Sequence, residues 1–181
     1  MPLRPAVFLD RDGVINATTV RGDTPYPPQT LAELVILPRV SEALAKLKAL
    51  GLRLIVVTNQ PDVARGTQTR EVVKAINESL MSQLHLTDVY VCYHDNHHDC
   101  DCRKPKCGLL REAAREHQLD LSRSFMVGDR WSDVVAGAAA GCETFLINLP
   151  YSRCERCSPD HQVADLWEAA GIIEERVRGF R

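Results

Sequence analysis

A chain of 181 residues, 45% apolar and 25% charged, has material for one domain with a full core and the composition of an ordinary soluble protein. Its formal charge of −2 excludes a general attraction to nucleic acid, since a polyanion binder would need a local basic patch. The opening MPLRPAVFLDRDG holds a four-residue apolar run before Asp10, too short for a signal peptide or a membrane span, so a cytoplasmic location away from membranes is expected.

Short apolar runs alternate with helical periodicity. AVFL (6–9) reads as a buried strand. From Pro38, the residues Val40, Ala43, Leu44, Leu47 and Leu50 recur at helical spacing, and Gly51 stands where a helix C-cap would. The continuous β-branched LRLIVVT (52–58) suits an interior parallel strand. Thr69 is positioned to N-cap a helix with the stripe Val72, Val73, Ile76, Leu80 and Leu84. DVYVC (88–92) is a third strand, 108–118 a helix, SFMVG (124–128) a fourth strand, 131–140 an Ala-rich helix and ETFLI (143–147) a fifth strand. This alternation predicts an α/β fold, a Rossmann-like three-layer sandwich with a mainly parallel sheet. Two stretches break the rhythm. The Pro- and Thr-rich 18–34 reads as an ordered surface loop, and 92–107 is dense in Cys and His. No repeat or linker appears, so residues 1–181 are expected to form a single domain, with a weakly patterned tail over 151–181.

In open α/β sheets, ligands bind beyond the carboxyl ends of the strands. The first strand runs into Asp10-Arg11-Asp12-Gly13, the second into Thr58-Asn59-Gln60, the third toward Arg103-Lys104, and the fourth into Gly128-Asp129-Arg130-Trp131-Ser132-Asp133. Carboxylates as crowded as Asp10, Asp12 and Asp129 resist joint ionisation. A hard divalent cation resolves the repulsion, and Mg²⁺ takes a few carboxylates together with substrate phosphate. Lys104 and Thr58 would then hold the remaining phosphate oxygens. A carboxylate is already ionised at neutral pH and can serve as a phosphoryl acceptor. A second, such as Asp12, could protonate the leaving oxygen and then activate water. Each motif alone has a bland explanation, as a loop, a turn or a helix N-terminus. All of them in order, each after a strand, do not.

FLDRDGVIN, VVTNQ, CRKPK and MVGDRWSD resemble the four motifs of the haloacid dehalogenase (HAD) phosphohydrolases over roughly 1–150, most closely the branch of histidinol-phosphate and heptose-bisphosphate phosphatases. The resemblance implies a HAD-like fold without a separate cap domain. It implies Asp10 as nucleophile, Asp12 as general acid and base, and Mg²⁺ on Asp10, the Asp12 carbonyl and Asp129, with Asp133 in an outer ring. Thr58 and Lys104 would stabilise the transferred group, and Asn59, Arg103 and Arg130 would face substrate. The substrate is expected to be a small sugar phosphate, heptose 1,7-bisphosphate ahead of histidinol phosphate, acted on by a monomer. An inactive binding module on the same fold is the non-enzyme alternative, and the filled motif positions argue against it.

Cys92, His94, Cys100 and Cys102 give C-x-H-x5-C-x-C. Three thiolates and an imidazole favour tetrahedral Zn²⁺, and four protein ligands make a closed, structural site over 92–102. The same branch of the family carries such a loop before its motif lysine. Because Cys102 adjoins Arg103, a folded loop would aim Arg103 and Lys104. His97, His98 and Cys107 are spare, with His97 or His98 the substitute ligand for His94, Cys142 reads as core, and Cys154-x-x-Cys157 reads as exposed thiols or a disulfide ahead of a second metal site, since no second ligand pair stands beside it.

Overall fold

The run Ala6–Leu9 is buried at every position and forms β1, the centre of the sheet. The computed structural model describes residues 3–155 and 157–179. Around β1 lie β4 (Arg53–Asn59), β5 (Asp88–Cys92), β6 (Phe125–Gly128), β7 (Glu143–Ile147) and β8 (His161–Val163), with β2 (Thr19–Arg21) and β3 (Thr24–Tyr26) forming a separate hairpin. The six-stranded sheet runs in the order β5-β4-β1-β6-β7-β8 with every pairing parallel. From β1 the chain builds outward to one side through β4 and β5, then returns and builds to the other through β6, β7 and β8. The reversal lies between β1 and β6, where a crevice opens at the carboxyl ends.

Among the described residues, five helices cover the sheet: α1 (Val40–Ala49), α2 (Arg70–Leu84), α3 (Gly108–His117), α4 (Trp131–Ala140) and α5 (Leu166–Gly179). Alternate strand residues feed two cores. Val7, Leu9, Leu54, Val56, Val127 and Phe145 pack with Leu44 and Leu47 of α1, Ile76 and Leu80 of α2 and Ile173 of α5. Phe8, Ile55, Val57 and Met126 pack with Leu109, Leu110 and Ala113 of α3 and Ala136 of α4. Burying one such side chain is worth about 1.5–3 kcal/mol, which is why a four-residue strand with no polar position takes the middle of the sheet. Local signals agree with the sequence pattern. Thr69 caps α2, its hydroxyl accepting from Val72 N at 3.3 Å, and α1 ends shortly before Gly51.

Two regions carry more structure than their pattern announces. Residues 18–34 hold the β2–β3 hairpin and a 3-10 turn at Leu31–Glu33. The tail contributes β8 as a sixth strand, and α5 packs on α1. There Trp167 lies under Arg39 and Lys46, at 4.3 and 4.4 Å from its ring centre. No helix among the described residues is long and apolar enough to cross a membrane.

Candidate active site

Asp10 is the first residue beyond β1. Its N–H donates to the Val127 carbonyl of β6 at 2.9 Å, which fixes it at the switch point. The chain then turns sharply at Gly13, whose φ is +87°. A Cβ there would lie 2.3 Å from Asp129 Oδ2 and 2.7 Å from the Tyr151 hydroxyl, so both the backbone and the space demand glycine. Arg11 is buried, and its guanidinium donates to both Asp12 oxygens at 3.0 Å and to Asn77 Oδ1 of α2 at 3.0 Å. Asp12 also accepts from Asn16 Nδ2 at 2.9 Å and Gln60 Nε2 at 2.7 Å. Three side chains therefore hold one carboxylate in a single orientation.

Gln60 makes a second bond, to Thr58 Oγ1 at 2.9 Å. A hydroxyl that accepts in this way keeps its own proton for another acceptor. Lys104 reaches under the strand ends from the loop after β5. Its Nζ lies 2.8 Å from Asp10 Oδ1, 2.6 Å from Asp133 Oδ1 and 2.7 Å from the Val57 carbonyl. The Asn59 side chain brackets the Lys104 backbone, donating to its carbonyl at 3.0 Å and accepting from its N–H at 3.1 Å. Asn59, a sequence candidate for substrate contact, thus spends both polar atoms on Lys104.

Asp129 is the first residue beyond β6, and α4 starts two residues later. Asp133 folds back over the strand end, where its Oδ2 accepts from Arg130 N at 3.0 Å. A Cβ on Gly128 would lie 2.1 Å from the Asp133 Cβ, so this close approach also requires glycine. Oxygens of Asp10, Asp129 and Asp133 come within 4.8 Å of one another. Neither Asp129 oxygen has a donor in hydrogen-bonding geometry, although both are buried. Lys104 pairs with Asp10 and Asp133, so ionising all three clustered carboxylates would leave an excess of two negative charges. Burial, with Asp133 and Asp12 adding repulsion, pushes Asp10 up to about 6 despite the attraction of Lys104. Burial and the charges of Asp10 and Asp133 hold Asp129 well above the carboxylate range. Burial works against the Lys104 charge too, but Asp10 and Asp133 outweigh it and keep the ammonium above its usual range. An orphaned buried carboxylate in a cluster with two surplus negative charges fits a hard divalent cation.

The four residues of the Cys/His loop also converge. Cys92 Sγ lies 3.1 Å from Cys102 Sγ and 3.9 Å from Cys100 Sγ, and His94 Nδ1 lies 3.3 Å from Cys102 Sγ and 3.6 Å from Cys92 Sγ. Thiolates at tetrahedral corners about 2.3 Å from zinc would stand roughly 3.7 Å apart, so the donor set fits that metal. Burial raises the Cys92 and Cys102 thiols above their ordinary range, which leaves them in need of a cation to ionise. The loop holds Arg103, whose guanidinium donates to Asn96 Oδ1 at 2.8 and 3.0 Å and to the His94 carbonyl at 3.0 Å. Arg65, after β4, ties to the same loop through Asp95 at 2.6 Å. Cys107 and Cys142 are buried, and Cys154 and Cys157 form a disulfide.

Above the carboxylates opens a cleft of ≈ 840 Å³, lined by Asp10, Asp12, Tyr26, Arg103, Arg130 and Trp131 among others. Arg130 Nη2 reaches the Pro25 carbonyl at 3.5 Å and makes no ion pair among the described residues. The sequence candidates Asp10, Asp12, Thr58, Lys104 and Asp129 thus meet in one place. Asp133 stands closer in than its expected outer ring, and Gln60, Asn77 and Tyr151 join without having been singled out. Asn77, a polar residue beside Ile76 in an apolar helix stripe, was the one such signal available.

Comparison with known proteins agrees with this geometry. The HAD-hydrolase-like family model matches residues 101–169. The D-glycero-β-D-manno-heptose-1,7-bisphosphate 7-phosphatase of Helicobacter pylori strain J99 is 38% identical over 78% of this chain and 82% of its own. That of Mesorhizobium japonicum is 38% identical over 77% and 67%. Among solved structures, the D,D-heptose 1,7-bisphosphate phosphatase of B. bronchiseptica, complexed with magnesium and phosphate, superposes with a TM-score of 0.81 at 26% identity, covering 94% of this chain and 98% of that one. The chain belongs to the HAD-like hydrolases and, within them, to the family of these heptose-bisphosphate phosphatases.

Proposed function

We propose that this chain is a Mg²⁺-dependent phosphomonoesterase acting on the C7 phosphate of D-glycero-D-manno-heptose 1,7-bisphosphate. The observation that carries the reading is the cluster of Asp10, Asp129 and Asp133 around buried Lys104, at the floor of a cleft large enough for a sugar bisphosphate. The naming of relatives at 38% identity supports the substrate.

Asp10, Asp129 and the Asp12 carbonyl would hold the Mg²⁺, with Asp133 beside them. When bound, the ion neutralises the surplus charge and polarises the phosphoryl group. Lys104 holds Asp10 Oδ1, which leaves Asp10 Oδ2 to attack phosphorus. The Thr58 hydroxyl, whose lone pair is taken by Gln60, donates to a phosphoryl oxygen, and Lys104 supplies positive charge beside it. Asp12, aimed by Arg11, Asn16 and Gln60, would carry a proton in the substrate complex and give it to the departing sugar oxygen. It then takes a proton from the water that hydrolyses the aspartyl-phosphate on Asp10 and frees the nucleophile. Arg103 and Arg130 face the rest of the substrate from the cleft wall.

Zn²⁺ on Cys92, His94, Cys100 and Cys102 takes no part in these steps, since four protein ligands leave no open position. It folds the loop that sets Arg103 and Lys104. The chain works as a single cytoplasmic domain and a monomer, on a small molecule and without nucleic acid or membrane. The test is a steady-state panel of sugar phosphates with Mg²⁺. The expected ranking by kcat/KM puts heptose 1,7-bisphosphate above histidinol phosphate by at least about 10²-fold, a gap of about 2.7 kcal/mol in transition-state binding. The reverse ranking assigns the chain to histidinol phosphate, and no turnover of any phosphomonoester leaves a binding module.

A further inference from the structure

The segment between β7 and β8 delivers three consecutive residues to three parts of the site. Tyr151 places its hydroxyl 3.3 Å from Thr18 Oγ1, just beyond the motif that carries Asp10 and Asp12. That hydroxyl and Asp129 Oδ2 crowd the same space beside Gly13, at 2.7 and 2.3 Å from where a Cβ would stand. The Ser152 hydroxyl donates to the Asp129 carbonyl at 2.6 Å and accepts from Leu149 N at 3.1 Å. Arg153 pairs with Asp23, at the turn of the β2–β3 hairpin, at 2.8 Å. One short stretch thus ties the end of β6, the motif after β1 and the hairpin wall together.

Asp129 gives this stretch a purpose. Its carboxylate is 1% exposed and neither oxygen has a donor in bonding geometry. A cation held through one ligand atom of Asp129 would account for one oxygen. The other would remain buried without a partner, at a cost of about 1–3 kcal/mol. Lys104 cannot serve, because its ammonium is engaged by Asp10, Asp133 and the Val57 carbonyl. The donor beside the second oxygen is the Tyr151 hydroxyl, which shares the space at Gly13 with Asp129 Oδ2 and would turn from Thr18 to Asp129 by a small shift of its side chain.

We propose that Tyr151 is a positioning residue for the divalent cation, its hydroxyl orienting the Asp129 carboxylate while Ser152 anchors the Asp129 backbone. The inference rests on reading the carboxylate cluster as the Mg²⁺ site. Tyr151 is not among the residues that line the cleft above the carboxylates, so it is given no contact with substrate. It acts through Asp129, as hydrogen-bonded partners of metal-ligating carboxylates do elsewhere. It also extends the site beyond the four motifs to a stretch that packs as the far wall.

The test is Tyr151→Phe, which keeps the ring packed and removes only the hydroxyl, read by Mn²⁺ titration of the full chain under electron paramagnetic resonance without substrate. The expected result is a Kd for Mn²⁺ raised about tenfold, with the thermal midpoint of the metal-free protein close to wild type. In turnover, the Mg²⁺ concentration for half-maximal rate should rise by a similar factor, while the rate at saturating Mg²⁺ falls by less. Ser152→Ala should act in the same direction and add to it. An unchanged Mn²⁺ Kd in Tyr151→Phe, with wild type binding normally, overturns the positioning role and leaves the metal site standing. Wild-type protein that binds no Mn²⁺ overturns the metal reading of the cluster and this inference together.

Discussion

At the scale of single residues, the chemistry depends on how burial sets charge. Asp10 is 8% exposed and, without a cation, pushed up to about 6, chiefly by burial. A carboxyl raised in this way stabilises the metal-free fold while it is protonated, below its unfolded value, and that contribution is lost as pH rises through about 6. Asp129 is displaced in the same direction, so its sign is the same. A cation that needs both groups ionised must displace their protons at low pH. Mg²⁺ should therefore bind at least about tenfold more tightly at about pH 7.5 than at about pH 5, measured by calorimetry. A pH-independent Kd would contradict the assignment of these two carboxylates to the ion. Asp10, Asp12, Thr58, Lys104 and Asp129 were legible in the sequence because each follows a strand that its apolar run announces. Gln60 and Tyr151 were not. A glutamine after a strand has many ordinary uses, and Tyr151 lies in a stretch without periodicity that reaches the site through tertiary packing alone.

Among the elements, the loop after β5 does the most to shape the site with the least apolar content. Its ligand atoms converge, and Arg103 and Arg65 are tied to it through Asn96, the His94 carbonyl and Asp95. A loop of this kind folds on metal, and loss of the metal is loss of folding free energy. Cys100→Ser should release the zinc, seen by elemental analysis, and lower kcat/KM by at least about tenfold through Arg103 and Lys104. Mn²⁺ binding at Asp10 and Asp129 should survive in that variant. Its disappearance would show that the two centres do not divide the work. The element plan was readable wherever an apolar run or stripe was long, as in β4 and α2. It was not readable in the β2–β3 hairpin, whose strands are three residues each and almost wholly exposed, nor in β8, where only Val163 is buried. Such strands exist because a neighbouring backbone pairs with them, β2 with β3 across a tight turn and β8 with the edge of β7, and not because their side chains form an apolar run.

For the whole molecule, the parallel sheet brings the ends of β1, β4 and β6 together at one switch point, and the loop after β5 closes over them. The chain has a charge of −2 overall, and it gathers three carboxylates beneath a cleft whose walls carry Arg65, Arg103, Lys106 and Arg130. That polarity suits an anionic substrate bridged to the protein by a cation. The account's central claim is phosphoryl transfer from C7 of a heptose bisphosphate to Asp10. Its most direct test is ³¹P NMR of D-glycero-D-manno-heptose 1,7-bisphosphate incubated with the enzyme and Mg²⁺, alongside Asp10→Asn. The expected result is loss of the C7 signal with equal growth of inorganic phosphate, a C1 signal that persists, and no change in either signal with Asp10→Asn. Release of the C1 phosphate, or release by Asp10→Asn at the wild-type rate, would contradict the account.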